Sequence, residues 1–397
     1  MIIKDTLLSF HLFGDLNPKN WPISIADFPP GSALVGGSVR DGLLKKLSQK
    51  PDLDFVIPIN AINFSEKLSK KINASFIKLD EKRDIARLVV DGWTLDFARQ
   101  VGESLKDDLL RRDFTINAIA LRLEENPKIY DPIGGIDDLK QKKIVAISEN
   151  NLIEDPLRIL RGFRLMCELN FELEKTTKIF LKNNVDKLSN VAPERIKMEI
   201  LKIIDSKWNS LACETYLELQ LLRNWCEENI SSSDLINQDI FSKDHSNGSD
   251  MAKLICLLSD QGLSNLTFSK SQIKRCKMLR FWIYKIKNYG LDNLSEDERF
   301  QLHIDLEEDL PSLILFLEAK HAKNWTRRWK DPSDPLFHPS CPLNGYMLQK
   351  ALKISSGPSL GELMRYLSKE KAYGRFFTNQ QALEIARKWI LENSPFL

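Results

Sequence analysis

Asp52 and Asp54 stand two residues apart in DLDFVI (52–57), at the start of an apolar run rich in strand-forming residues. Side chains at i and i+2 of a strand share a face, so the two carboxylates repel each other unless a cation lies between them. Carboxylate pairs of this kind hold divalent metal ions for phosphoryl transfer. Asp96 in WTLDFA (93–98) can add a third acid from a later strand. About ten residues upstream of the pair, LVGGSVRDGLL (34–44) places Gly36, Gly37 and Ser38 where an apolar run meets a helix start. Glycines there let backbone approach a bulky ligand, and the unpaired N–H groups of the helix start suit an anion such as a triphosphate. Arg40, one turn in, adds a fork of donors. Taken singly, the first stretch also reads as a solvated acidic strand end and the second as an ordinary strand–helix turn.

The elements that must hold these residues come early in the chain. Short β-type runs lie at 32–37, 53–57, 75–79, 86–90, 93–98 and 116–123, and Asp91-Gly92 between two of them predicts a tight hairpin turn. Helical spacing follows Arg40 and recurs at 61–72. From about Asn150 onward strand signals almost vanish. Helical periodicity marks 155–170, a helix opened by Pro193-Glu194, and then 210–227, 251–258, 268–288, 296–320, 345–353, 359–370 and 378–392. The polar stretch 231–250 reads as a surface loop or linker, and 330–342, with four prolines, as a second break.

Six stretches in fixed order carry a resemblance: LVGGSVRDGLL (34–44), DLDFV (52–56), LLRRDFTINAIAL (109–121), YDPIGGIDDL (130–139), EDPLRILRGFR (154–164) and PERIKMEI (193–200). The set resembles the class II tRNA nucleotidyltransferases, the CCA-adding enzymes, and the related bacterial poly(A) polymerases. Strong cover runs over about 31–204; 342–364 is similar to the family's C-terminal end more weakly, and 205–340 matches only in helical character. The implied fold is an α+β nucleotidyltransferase head, a small sheet with helices, followed by an all-α remainder. The implied division is a catalytic head over 1–148, a base-reading helical neck over 149–206, a helical body over 207–330 and a tRNA-binding helical tail over 331–397.

The resemblance implies that Asp52 and Asp54 bind two Mg²⁺ ions, with Asp96 completing the catalytic acids. Gly36, Gly37, Ser38, Arg40 and Arg112 then hold the triphosphate, and Asp113 accepts from the ribose. Guanidinium matches phosphate oxygens in pairs, which suits Arg112; Arg111 pairing with Asp113 is the structural alternative. Asn117 reads as an interior amide. Asp155 and Arg158, three apart on a presumed helix face, would read the incoming base, with Glu154 orienting Arg158 and with Arg161 and Arg164 lining the same site. Cytosine and adenine both set an amino donor beside a ring-nitrogen acceptor, so an aspartate and an arginine fit both and reject uracil and guanine. The bland reading of the same pair is a salt bridge on the helix surface. The family reading makes Gly134-Gly135 a flexible joint, against an ordinary turn, and lets Glu194 and Arg195 brace the base-reading helix.

Partners follow from the same resemblance: the tRNA 3′ end, CTP and ATP, with no membrane and no protein partner inferred. The 397 residues carry 57 basic and 55 acidic side chains for a net charge of +2, which neither demands nor excludes nucleic acid. Local clustering is more telling: 268–288 holds Lys270, Lys274, Arg275, Lys277, Arg280, Lys285 and Lys287 without an acid, interleaved with Phe281, Trp282 and Tyr284. That pattern fits an RNA backbone or a solvated basic face; KHAKNWTRRWK (320–330) repeats it. No apolar run approaches the roughly 18 residues of a membrane span. The charged N-terminal stretch argues against a signal peptide, and six scattered cysteines read as free thiols, which makes the cytoplasm the expected location. Rival readings are a poly(A) polymerase or A-adding enzyme, disfavoured by the absence of a long basic extension after Leu397; an inactive RNA-binding protein of the same fold; and a metal-dependent phosphohydrolase, disfavoured because none of the five His lies beside the DLD. Between Asp96 and Arg111 only 14 residues remain. Family members that complete CCA carry a longer loop there, so the expected product is CC, against the full CCA.

Overall fold

The computed structural model describes residues 16–226, 238–241 and 248–393. The chain divides into two compact units, Met1–Leu221 and Leu222–Leu397.

The first unit is organised by a seven-stranded sheet: β1 (Ala33–Val35), β2 (Leu53–Ile57), β3 (Ser75–Asp80), β4 (Ile85–Val90), β5 (Trp93–Arg99), β6 (Ala120–Arg122) and β7 (Lys128–Tyr130), in the order β3-β4-β5-β2-β1-β6-β7. β2 and β5 run parallel; the other pairings are antiparallel. Asp91 and Gly92 both take positive φ between β4 and β5, the geometry a two-residue hairpin turn requires. The run 116–123 is strand only at its end, because Thr115–Asn117 coil into a 3-10 turn first. β7 was not expected: three residues are too few to show a period.

Alternation along β2 and β5 divides the sheet's two faces. Leu53, Phe55 and Ile57 face a core with Leu95 and Phe97, where Phe55 and Phe97 stack at 5.2 Å and Phe28 packs on Phe55 at 4.8 Å. Burying each such ring contributes about 1.5–3 kcal/mol. The helix Ala61–Ile72 lies at the 61–72 span its spacing predicts, its first amides held by the buried Asp84. The opposite face carries Ala33, Val35 and Val56 against Leu105 and Leu109 of the helix Leu105–Leu110. Asp54 and Asp96 open onto that second face, beyond the apolar patch.

Helices complete the unit. Glu149–Glu154 and Leu157–Leu169 replace the single helix expected over 155–170. Pro156 causes the break: a residue before proline is pushed out of the helical region, and Asp155 sits at φ −134°, ψ 90°. Asp155 is therefore a junction residue and not part of a helix face. Pro193–Asp205 packs along Leu157–Leu169 with Ile196, Ile200 and Ile204 inward.

The second unit is helical: Ser249–Leu257, Asp260–Asn265, Lys270–Tyr289, Glu296–Leu306, Leu310–Ile314, Ala319–Trp329, Gly345–Leu352, Pro358–Ala372 and Asn379–Asn393. The single helix expected over 296–320 is divided because Glu307 takes φ 37° and Pro311 starts a new turn. Most of the linker read at 231–250, and the N-terminal stretch to residue 15, lie outside the described residues. Among the described residues no helix is long and apolar enough to cross a membrane, and none of the six cysteines is joined in a disulfide.

Candidate active site

A cleft of ≈ 400 Å³ in the first unit gathers Gly36, Gly37, Arg40, Asp54, Arg111, Arg112, Asp113, Asn117, Asp155, Arg158, Arg161, Arg164 and Glu168. Residues separated by more than 100 positions thus line one surface. Six arginines face four acids, so the cleft is cationic and suits a polyanion.

Gly36 sits at φ 80°, where other residues are strained. A Cβ on it would lie 3.3 Å from the Asp54 carboxylate and 3.6 Å from the Arg112 guanidinium. The turn, the strand acid and the arginine therefore meet at one point. Arg112 donates to Asp108 at 3.0 Å, yet its Nε is buried without a hydrogen-bond partner, as is the Ser38 hydroxyl. Arg40 is held more tightly than expected: both its Nε and Nη2 bond Asp41, and Nη1 donates to Asn117 at 2.7 Å.

Asp54 opens to solvent along the cleft but is packed on its other sides. Burial, and next the neighbouring Asp96, push its carboxyl up to about 6, with Arg112 opposing. An acid whose ionised form is disfavoured by its surroundings is one that gains from a cation. Asp52, exposed two residues earlier, adds a second hard oxygen donor. Asp96 does not complete a three-acid cluster: its two oxygens are taken by Arg87 at 2.7 Å each. No group of three metal-ligating side chains forms among the described residues. Two carboxylates with phosphate oxygens nonetheless make an ordinary donor set for a hard divalent ion, so the residues present fit one.

Asp113 is not free to meet a ribose. It is buried, and accepts from the Phe114 amide at 2.8 Å, the Asn117 amide at 3.1 Å and Arg161 Nε at 2.8 Å. Burial alone would raise its carboxyl, but Arg161, with these hydrogen bonds, outweighs that and holds it below the usual range. Arg111 does form a structural ion pair, but with Asp108 at 3.0 Å and not with Asp113. The i, i+3 and i, i+4 spacings in DDLLRR carried that signal. Asn117 is the interior amide expected, and it also links Arg40 to Asp113.

Asp155 and Arg158 both line the cleft but do not pair. Asp155 meets Arg195 at 3.0 Å, the bracing role expected of that residue, and Arg158 donates to the Asn151 carbonyl at 2.8 Å instead of being oriented by Glu154. Arg195 Nη2 donates to both Asp155 oxygens, at 3.0 and 3.2 Å. Arg164 lies 3.0 Å from the buried Glu199 and 3.4 Å from Glu168, two acids not foreseen. Gly134 and Gly135 do not form a loose joint. Asp131 accepts from the amides of Gly134, Gly135 and Ile136 at 2.9–3.0 Å, pinning the turn.

In the second unit, Lys274 and Lys277 line an open groove of ≈ 740 Å³ beside Met278 and Phe281. Arg275 is committed to Asp309 through two bonds at 2.6 and 2.7 Å, Arg280 pairs with Asp260, and Lys285 pairs with Glu298 at 2.7 Å.

This sheet with a glycine turn, strand acids and an arginine-rich cleft is that of a nucleotidyltransferase head. Residues 32–145 match the Poly A polymerase head domain, and 170–228 match the Probable RNA and SrmB-binding site of polymerase A. The CC-adding tRNA nucleotidyltransferase of Synechocystis sp. is 29% identical over 402 residues, covering 92% of this chain and 95% of that relative. The A-adding tRNA nucleotidyltransferase of Deinococcus radiodurans is 42% identical, but over 38% of this chain and 33% of its own length. The Thermotoga maritima CCA-adding enzyme complexed with tRNA shares the fold at a TM-score of 0.74 and 22% identity, covering 98% of this chain and 99% of that one. The chain thus carries a Poly A polymerase head domain and is similar over nearly its whole length to a CC-adding tRNA nucleotidyltransferase.

Proposed function

We propose that the protein is an untemplated tRNA nucleotidyltransferase that transfers CMP from CTP to the tRNA 3′ end and stops after CC. The meeting of Gly36, Asp54 and Arg112 at one point carries the enzymatic part of this reading. The near full-length similarity to a CC-adding relative supports the product. So does the short connection: β5 ends at Arg99 and the next helix starts at Leu105, leaving only Gln100–Ser104 between them.

Family members use divalent ions, and Asp52 and Asp54 would hold Mg²⁺ here. When bound, the ion neutralises charge on the transferred phosphoryl group and lowers the pKa of an attached hydroxyl. Gly36 and Gly37 admit the triphosphate close to backbone, and the Arg112 guanidinium, whose Nη1 lies beside Gly36, binds it. Arg40, clamped by Asp41 and Asn117, offers a fixed positive charge, not a reaching donor. Asp155 accepts from the base amino group and Arg158 donates to the ring nitrogen, each held from behind by Arg195 and Asn151. Asp113 positions Arg161 and Asn117. Six cysteines outside any disulfide support a cytoplasmic setting.

Asp155→Ala should broaden nucleotide choice more than it weakens triphosphate binding, since its acceptor faces the base edge. Loss of one such hydrogen bond corresponds to roughly 1–3 kcal/mol of discrimination, about five- to 150-fold. Competition of CTP against UTP and GTP checks this. A variant as selective as the parent would place base reading elsewhere.

The free lysines of the second unit are the proposed RNA contacts. Replacing Lys274 and Lys277 by Gln should raise KM for tRNA and flatten its log–log salt dependence by roughly 0.9 per lost duplex phosphate contact. Arg275 is left out because Asp309 already holds it. An unchanged slope would make the pair a solvated face. The product itself is tested with tRNA ending in CC and ATP alone: no addition is expected, and efficient addition of one AMP would refute the stop after CC.

A further inference from the structure

Asp96 lies in a row of charged residues set by strand register. It stands opposite Asp54 across the parallel β2–β5 pair and opposite Arg87 across the antiparallel β4–β5 pair. Directly opposed residues share a face, so Asp54, Asp96 and Arg87 project side by side from three adjacent strands. Arg87 Nε and Nη2 donate to the two Asp96 oxygens at 2.7 Å each. This fork-to-fork bond is the strongest geometry a guanidinium offers a carboxylate. The Asp96 hydrogen bond, above all, holds the Arg87 guanidinium higher than usual, and Asp52 and Asp54 add to it. One fixed cation thus lies in the field of all three acids.

An exposed cross-strand ion pair ordinarily contributes about 0.2–1 kcal/mol and has no further effect. This pair differs in its neighbour. Asp54, one of the two assigned cation ligands, stands directly opposite Asp96 in the register of the parallel pair. Whatever neutralises or turns Asp96 therefore decides how many acids face the cleft.

We propose that Arg87 is a positioning residue that keeps Asp96 as its own partner, so that the cation-holding set is Asp52 and Asp54 alone. This rests on the assignment of Asp52 and Asp54 to cation binding. Two carboxylates hold a divalent ion weakly, and its remaining positions are left to water and nucleotide phosphates. The ion then binds together with the nucleotide and not before it. Releasing Asp96 adds a third acid, and the cleft holds a cation without nucleotide.

The test is Mn²⁺ binding to the full chain without nucleotide, read from the electron paramagnetic resonance signal of free Mn²⁺. Arg87→Ala should bind Mn²⁺ roughly tenfold more tightly than the parent, the effect of removing one fixed charge near a divalent ion in a wet cleft. Arg87→Lys, with one donor point in place of a fork, should lie between. The double variant Arg87→Ala/Asp96→Asn should return close to the parent, because the freed acid is gone. Arg87→Gln keeps the aliphatic stem and serves if the alanine variant does not fold. In CMP incorporation, Arg87→Ala should lower kcat with KM for CTP unchanged, a division that a purely structural pair does not produce. Equal Mn²⁺ affinity in parent and Arg87→Ala, or tightening that persists in the double variant, would overturn the proposal. Failure of the parent to incorporate CMP would instead defeat the functional assignment, while the Mn²⁺ titration would still report on Arg87.

Discussion

Asp54→Asn is expected to abolish nucleotide incorporation and to leave the head folded. The expected loss in kcat/KM is roughly 10³-fold or more, the several kcal/mol that a correctly held ion contributes to the transition state. The same substitution should stabilise the ion-free protein, which separates it from ordinary damage. Burial, and then Asp96, push the Asp54 carboxyl up to about 6 in the fold. The folded state therefore holds a proton that the unfolded chain releases at lower pH. Stability from that proton is complete below the unfolded value, near 4, and is lost as pH rises through about 6. At pH 7–8 without metal, Asp54→Asn should melt above the parent; at pH 4 the two should converge. Thermal melts at both pH values with chelator, beside CMP incorporation with Mg²⁺, check the pair of outcomes. Near-normal incorporation would remove Asp54 from the reaction.

Asp113→Ala should cost about 3 kcal/mol of head stability, because Arg161 is left without its buried partner and Asn117 and the Phe114 amide lose their acceptor. For a unit of this size that is a fall in Tm of roughly 6–12 °C. Because Asn117 also holds Arg40, activity should fall through disordered cleft arginines, with discrimination between NTP and dNTP retained. The depressed carboxyl gives the opposite pH sense from Asp54. Its stabilisation is present above the unfolded value near 4 and is lost as pH falls through the lower folded value. A variant of unchanged Tm that accepts dCTP would restore Asp113 as the ribose-reading residue.

What the sequence made legible was mostly local. Short runs of strand-forming residues located β1 to β5, Asp91-Gly92 announced its hairpin, and the spacing over 61–72 marked its helix to the residue. The glycine turn and Asp54 could be assigned to one site because the two motifs follow each other at close spacing, a signal neither carries alone. The misread features depend on distance or on one neighbouring residue. Asp155 looked helical by spacing, yet Pro156 forces it out. Arg87 has no visible link to Asp96 until strand register sets them opposite. Asp113 meets Arg161 from 48 residues away, and Arg275 meets Asp309 from 34. Only folding shows that these charges are already satisfied, so the sequence overcounted the side chains free for ligand. The acids at Glu168 and Glu199 went unseen because their arginine partner looked free.

The most direct test of the functional assignment is a length-resolved assay on tRNA lacking its 3′ CCA, with the full chain, Mg²⁺ and all four NTPs, labelling CTP and ATP in separate reactions. The expected product is longer by two nucleotides, both CMP, with no label from ATP. No extension would contradict nucleotidyl transfer to tRNA. A ladder of AMP residues would identify a poly(A) polymerase in its place.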